Sequence, residues 1–107
     1  IQDRIKDMII SGGENVYPAE IENVILSNPA VADVAVIGVP SEKWGETPLA
    51  CVVKKDASLE EKDVISWCDG RLARFKMPTV VRFVDVIPRN ASGKALKRDL
   101  RLQFPTV

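Results

Sequence analysis

The chain has 107 residues, 46% hydrophobic and 28% charged, which suits one globular domain with a modest core and falls short of two. Fifteen Lys and Arg balance fifteen Asp and Glu, so net charge gives no reason to expect nucleic acid or a membrane surface. No apolar run approaches the roughly 18–20 residues of a bilayer span, and with no histidine there is no His general base, no Ser-His-Asp or Cys-His nucleophile and no ordinary zinc site within these residues.

Two cysteines, Cys51 and Cys68, lie in strongly patterned segments and read as core residues of a reduced, cytoplasmic protein. The start at Ile1 rather than Met reads as that of a piece of something longer. Residues 4–17 predict a short hairpin, with Met8, Ile9 and Ile10 running into Ser11-Gly12-Gly13, where glycine permits a tight reversal. Pro18 suits the first turn of a helix, Ile21, Val24 and Ile25 follow at helical spacing, and Asn28-Pro29 stops it. Residues 31–39 and 47–54 predict two strands, separated by a loop from Pro40 to Glu46 that holds Trp44. Ser58 and Glu61 read as a capping box, and Val64, Trp67, Cys68 and Leu72 as the buried stripe of a second helix. Pro78 ends the next segment, residues 80–86 predict a third strand, and the turn-rich stretch from Pro88 to Gly93 leads to a basic helix with Leu96 and Leu100 on one side. The order predicts an α+β fold: a small three-stranded sheet flanked by helices and preceded by a short β-hairpin.

Three features bear on function. Ser11-Gly12-Gly13 offers backbone N–H groups that would cradle a phosphate, yet it lacks the Lys-Ser/Thr ending of a P-loop, and a plain hairpin turn accounts for it on spacing alone. Residues 88–101 (PRNASGKALKRDLR) carry Arg89, Lys94, Lys97, Arg98 and Arg101 against a single Asp99. Charge runs are usually solvated faces. Lys94, however, sits beside the positive end of a helix dipole, on a loop of Asn, Ala, Ser and Gly that reads as mobile and exposed; a cation there suits reaching into a partner site that holds a phosphate. Trp44, Phe75 and Lys76 fall outside periodic elements, where an aromatic is either a core plug or a stacking platform.

Residues 3–20 (DRIKDMIISGGENVYPAEIE) and 88–101 resemble two core motifs of the adenylate-forming superfamily, which comprises acyl- and aryl-CoA synthetases, nonribosomal adenylation domains and beetle luciferases. The intervening VADVAVIGVPSEKWGE is similar to the same family, so the resemblance covers essentially the whole chain. It implies that residues 1–107 are the C-terminal lid domain of such an enzyme, with its own large N-terminal domain, absent here, as partner. It also implies ATP, Mg2+ and CoA, bound mainly with that other domain, and a carboxylic acid substrate, fatty or related. The family reaction makes an acyl-adenylate and pyrophosphate, then a thioester, with rotation of the small domain in between.

Matched residue by residue, the resemblance assigns Lys94 to the adenylation step, Lys6 to the hinge and Arg4 to the nucleotide. It assigns Gly13 to passage of the pantetheine arm, and Trp44, Phe75 and Lys76 to the CoA nucleotide, with no metal ligand. One departure is Asp3, where most relatives carry Gly. Two alternatives stand beside the CoA ligase: an adenylating enzyme that delivers its acyl group to a carrier protein, and a non-catalytic binding module of the same fold. The hinge and Lys94 count against the last.

Overall fold

The computed structural model describes residues 8–43 and 45–105. Its elements run β1 (Ile9–Ser11), β2 (Glu14–Val16), α1 (Pro18–Leu26), β3 (Val31–Ser41), β4 (Gly45–Lys54), α2 (Glu61–Cys68), a 3₁₀ turn (Arg74–Lys76), β5 (Val80–Phe83) and α3 (Lys97–Gln103).

The long antiparallel pair β3–β4 is the spine, paired from Val31↔Lys54 to Ser41↔Gly45 with one irregularity between Val31 and Asp33. Strand alternation sends Val34, Val36, Ala50 and Val52 to one face, against Ile21 and Ile25 of α1 and Val64 and Cys68 of α2. Ala35, Ile37, Val39, Leu49 and Cys51 go to the other, against Ile87 and Leu100 of α3. Burial on both faces explains why residues 31–39 are apolar at nearly every position rather than at alternate ones. The chain crosses over through α2, so β5 pairs parallel to β4, from Leu49↔Val80 to Val52↔Phe83. Helices on both faces of a sheet are the expected α+β arrangement.

The sheet is larger than expected. The β1–β2 hairpin is no separate appendage, because Ser11 pairs with Gly45 and makes a five-stranded sheet. Gly38 permits the close approach: a Cβ there would lie 3.0 Å from Cγ1 of Ile9. The Pro40–Glu46 loop is also shorter than expected, since pairing continues to Ser41↔Gly45 and takes Pro40, Ser41, Gly45 and Glu46 into strands.

The cap of α2 differs as well. Glu60, not Ser58, is the N-cap, in a reciprocal box with Asp63. Ser58 instead donates its hydroxyl and its N–H to Asp56, at 2.7 and 2.9 Å. Glu61 accepts from the N–H of Val81 on β5 at 3.1 Å, a tertiary bond that no local pattern reveals. Within the expected stripe Val64, Cys68 and Leu72 are buried. Trp67 is only half-buried, donating its indole N–H to the Val24 carbonyl at 2.8 Å under the Arg71 guanidinium. The third strand stops at Phe83, and Val86 is exposed.

Both cysteines are free and buried, and burial pushes each thiol up to about 11, against the opposing charge of Arg71 in the case of Cys68. They are core residues, as expected. Among the described residues no helix is long and apolar enough to cross a membrane.

Candidate functional site

Lys94 occupies a closely bonded turn rather than a mobile tip. The Asn90 side-chain oxygen accepts from the N–H groups of Ser92 and Lys94, both at 3.0 Å, and from the Ser92 hydroxyl at 2.8 Å. The N–H of Gly93 donates to the Asn90 carbonyl and that of Asn90 to the Lys94 carbonyl, each at 3.0 Å. A bridge between Arg89 and Ala95 closes the base, and Gly93 takes the positive φ of 85° that the reversal demands. Asn is thus chosen for its short carboxamide, which mimics a backbone acceptor. The loop composition suggested flexibility because the sequence does not show how many bonds one Asn makes.

The turn is also anchored to the spine. The Arg89 guanidinium forks onto Asp33 of β3, with N–O distances of 2.6 and 3.3 Å, while its third nitrogen donates to the Gly93 carbonyl at 2.8 Å. Both partners are roughly one-third exposed, so the pair contributes about 0–1 kcal/mol of stability, and what it supplies is orientation. Downstream, Lys97 pairs with Glu22 of α1 at 2.9 Å, and Glu22 also accepts from the Val36 N–H on the edge of β3 at 2.8 Å. The basic stretch is therefore not a plain solvated face: two of its cations are tied to the fold, while the Lys94 side chain is exposed.

At the other end of β3–β4, Ser11, Gly12 and Glu14 of the hairpin face Pro48 of β4 and Arg74, Phe75, Met77, Pro78 and Thr79 across an open groove of about 610 Å³. Gly12 and Gly13 form the two-residue turn with φ of 58° and 82°, which L side chains resist. A Cβ at Gly13 would meet no atom within 4 Å, so the space beyond it is open. Phe75 is 44% exposed, a platform rather than a core plug.

Lys76 is not on the groove. It pairs with Glu20 of α1 at 3.0 Å and lies 5.6 Å from the Phe75 ring centroid. The cation that does line the groove is Arg74, which sequence reasoning passed over; among the described residues its side chain makes no ion pair or hydrogen bond. The signal for it was slight, a second cation one position before Phe75 in a non-periodic segment. Arg4, Lys6 and Trp44 lie outside the described residues.

From Asp33, where the Lys94 turn is anchored, to Ser41, beside the hairpin, β3 runs eight residues, roughly 26 Å at about 3.3 Å per residue. The chain therefore carries an exposed lysine on a rigid turn at one end of its spine and an aromatic and cationic groove at the other. Among the described residues no group of three or more Cys, Asp or Glu is gathered to hold a metal ion.

Comparison with known proteins bears on both ends. The model of the AMP-binding enzyme C-terminal domain matches residues 20–94, from α1 to Lys94 itself. The chain is 57% identical over 104 residues to the long-chain-fatty-acid–CoA ligase FadD13 of Mycobacterium tuberculosis, covering 97% of this chain and 21% of the ligase. It is 50% identical over 101 residues to a 2-succinylbenzoate–CoA ligase of Bacillus cereus, again with 21% of that protein covered. Among solved structures, a fatty acyl CoA synthetase of M. tuberculosis superposes with a TM-score of 0.90 at 56% identity, over 95% of this chain and 20% of that one. Apo MatB of Rhodopseudomonas palustris superposes with 0.89 at 50% identity, over 94% and 20%. This chain spans about a fifth of the length of these relatives. In sequence and in fold alike, it belongs to the family of AMP-binding enzyme C-terminal domains.

Proposed function

We propose that this chain is the lid domain of an ATP-dependent acyl-CoA ligase acting on a fatty or related carboxylic acid. The observation that carries the reading is the separation of the Lys94 turn and the Phe75–Arg74 groove along one rigid spine, which suits a domain that serves two steps with two faces. In the first step the substrate carboxylate attacks the α-phosphorus of ATP and pyrophosphate leaves. The Lys94 ammonium, on a turn that does not need to reorganise, stabilises the negative charge gathering on the carboxylate and phosphate oxygens. In the second step the CoA thiol attacks the acyl carbon and AMP leaves. The pantetheine arm passes the bare backbone at Gly13, and Phe75 and Arg74 hold the nucleotide end by stacking and charge.

Lys6 is the hinge between the two poses and Arg4 a nucleotide contact in this reading; both rest on the motif resemblance. In the same reading magnesium would neutralise charge at the ATP phosphates, bound mainly with the other domain, a placement that rests on the motif resemblance. A cytoplasmic setting accords with two cysteines held as buried free thiols.

The test uses the longer protein with ATP and a panel of carboxylic acids, reading acid-dependent pyrophosphate release and then thioester formation on CoA. Acyl-CoA is the expected product. Transfer only to a carrier-protein thiol would replace the CoA reading, and no acid-dependent pyrophosphate at all would overturn the enzyme reading.

A further inference from the structure

We infer that Arg89 and Asp33 are positioning residues for Lys94, acting as a fork that sets where the lysine turn points; the inference rests on the adenylation role proposed above. Arg89 meets two structures at once. Two of its nitrogens grip the Asp33 carboxylate on β3, and the third holds the Gly93 carbonyl, which belongs to the peptide bond leading into Lys94. Asp33 is itself held: it lies on β3, paired with Val53 of β4, and its Oδ1 accepts from the Val34 N–H at 2.9 Å as well as from Arg89. The Asn90 carboxamide completes the frame from inside the turn by holding the Lys94 N–H.

The chain of bonds therefore runs from β3 through one planar guanidinium to the backbone beside the reacting cation. Arginine suits this because its fork is planar and multidentate, whereas lysine offers a single flexible point charge. A pair this exposed adds little to folding, so its loss should show in the step that Lys94 serves rather than in the stability of the domain. A misplacement on the order of 1 Å in a positioned group costs up to about a hundredfold in rate.

The experiment measures the two half-reactions separately in the full-length enzyme: acid-dependent pyrophosphate release, and thioester formation from presynthesised acyl-adenylate and CoA. The variants are Arg89→Lys, Arg89→Gln, Asp33→Asn, Lys94→Ala and the double variant Arg89→Gln/Lys94→Ala. Expected is a loss of about ten- to a hundredfold in kcat of the first half-reaction for Arg89→Gln, with its KM for ATP little changed and the second half-reaction intact. Arg89→Lys should fail to restore it, and Arg89→Gln should add nothing once Lys94 is gone. Equal losses in both half-reactions, an additive effect in the double variant, or wild-type rates for Arg89→Gln while Lys94→Ala is crippled would each overturn the positioning role alone. Wild-type adenylation by Lys94→Ala would instead remove the underlying reading of Lys94, and this inference with it.

Discussion

The Asn90–Lys94 turn and the Gly12–Gly13 hairpin are both glycine-containing reversals, yet they are built differently. In the first, Gly93 is surrounded by bonds: one Asn carboxamide accepts three donors, and an arginine fork ties the loop to β3. In the second, a Cβ at Gly13 would meet nothing within 4 Å, as at Gly93, but a groove lined by Phe75 and Arg74 lies alongside. Under the proposed function, the reversal that aims a charge is the one tied down by hydrogen bonds, and the one that a flexible ligand passes carries no side chain at its tip. The same residue type marks both, and only its surroundings tell them apart.

The two ends should therefore separate in kinetics. The largest split is expected for Lys94→Ala, which should slow acid-dependent pyrophosphate release about a hundred- to a thousandfold while sparing thioester formation from supplied acyl-adenylate. Comparable losses in both steps would make Lys94 structural. The mirror image is Gly13→Leu, expected to slow thioester formation about tenfold or more and to spare adenylation. Gly13→Ala is its control, because both substitutions meet the same positive φ of 82° and a backbone cost of about 1 kcal/mol, so the difference between them reads bulk alone.

Within the groove the contrast is finer. Arg74→Ala should raise KM for CoA about fivefold, the scale of one charge-assisted contact, while Lys76→Ala should change it less, because Lys76 is paired with Glu20. The reverse order would return the anion site to Lys76.

The smallest expected split is none. Cys51 is buried in β4 among core residues and touches neither turn's hydrogen bonds, so Cys51→Ser should lower the melting temperature, by burying a hydroxyl at a cost of about 1–3 kcal/mol, and leave the ratio of the two half-reactions unchanged. Alkaline pH tests the same core. Burial raises the Cys51 and Cys68 thiols from an ordinary 9.0 to about 11, so the unfolded chain gives up their protons first. Their stabilising contribution is full below about pH 9 and is lost as pH rises through 11. Thermal melts from pH 7 to 11 should show the decline, and a flat profile would mean the thiols are not desolvated.

Local chemistry was readable along the chain wherever a residue's partner lay nearby. Pro18, the Ile21–Val24–Ile25 spacing and the Gly12-Gly13 pair carry their elements in a few adjacent positions, and helix and turn followed. The motif at residues 88–101 points to Lys94 through its resemblance to the family, and the structure adds the bonded turn that carries it. What failed did so either because a neighbouring group competed for the same bond or because the deciding partner was distant. Ser58 is the local case, since Asp56, two residues away, takes its donors and Glu60 caps the helix, whereas Glu61 is claimed by Val81 across the fold. Lys76 is paired with Glu20, 56 residues away, and the groove lining holds Arg74 in its stead, a placement that no local pattern reveals.

The residues by themselves determined the α+β class and the order of its helices and strands, because propensity, periodicity and turn chemistry act over a few bonds. The tertiary structure alone determined that the hairpin joins the sheet, that Arg74 rather than Lys76 faces the groove, and that Arg89 ties the Lys94 turn to Asp33. Each of those is a contact between groups tens of residues apart, and one chain read linearly carries no record of which of its many charges will be neighbours once β3 and β4 have paired.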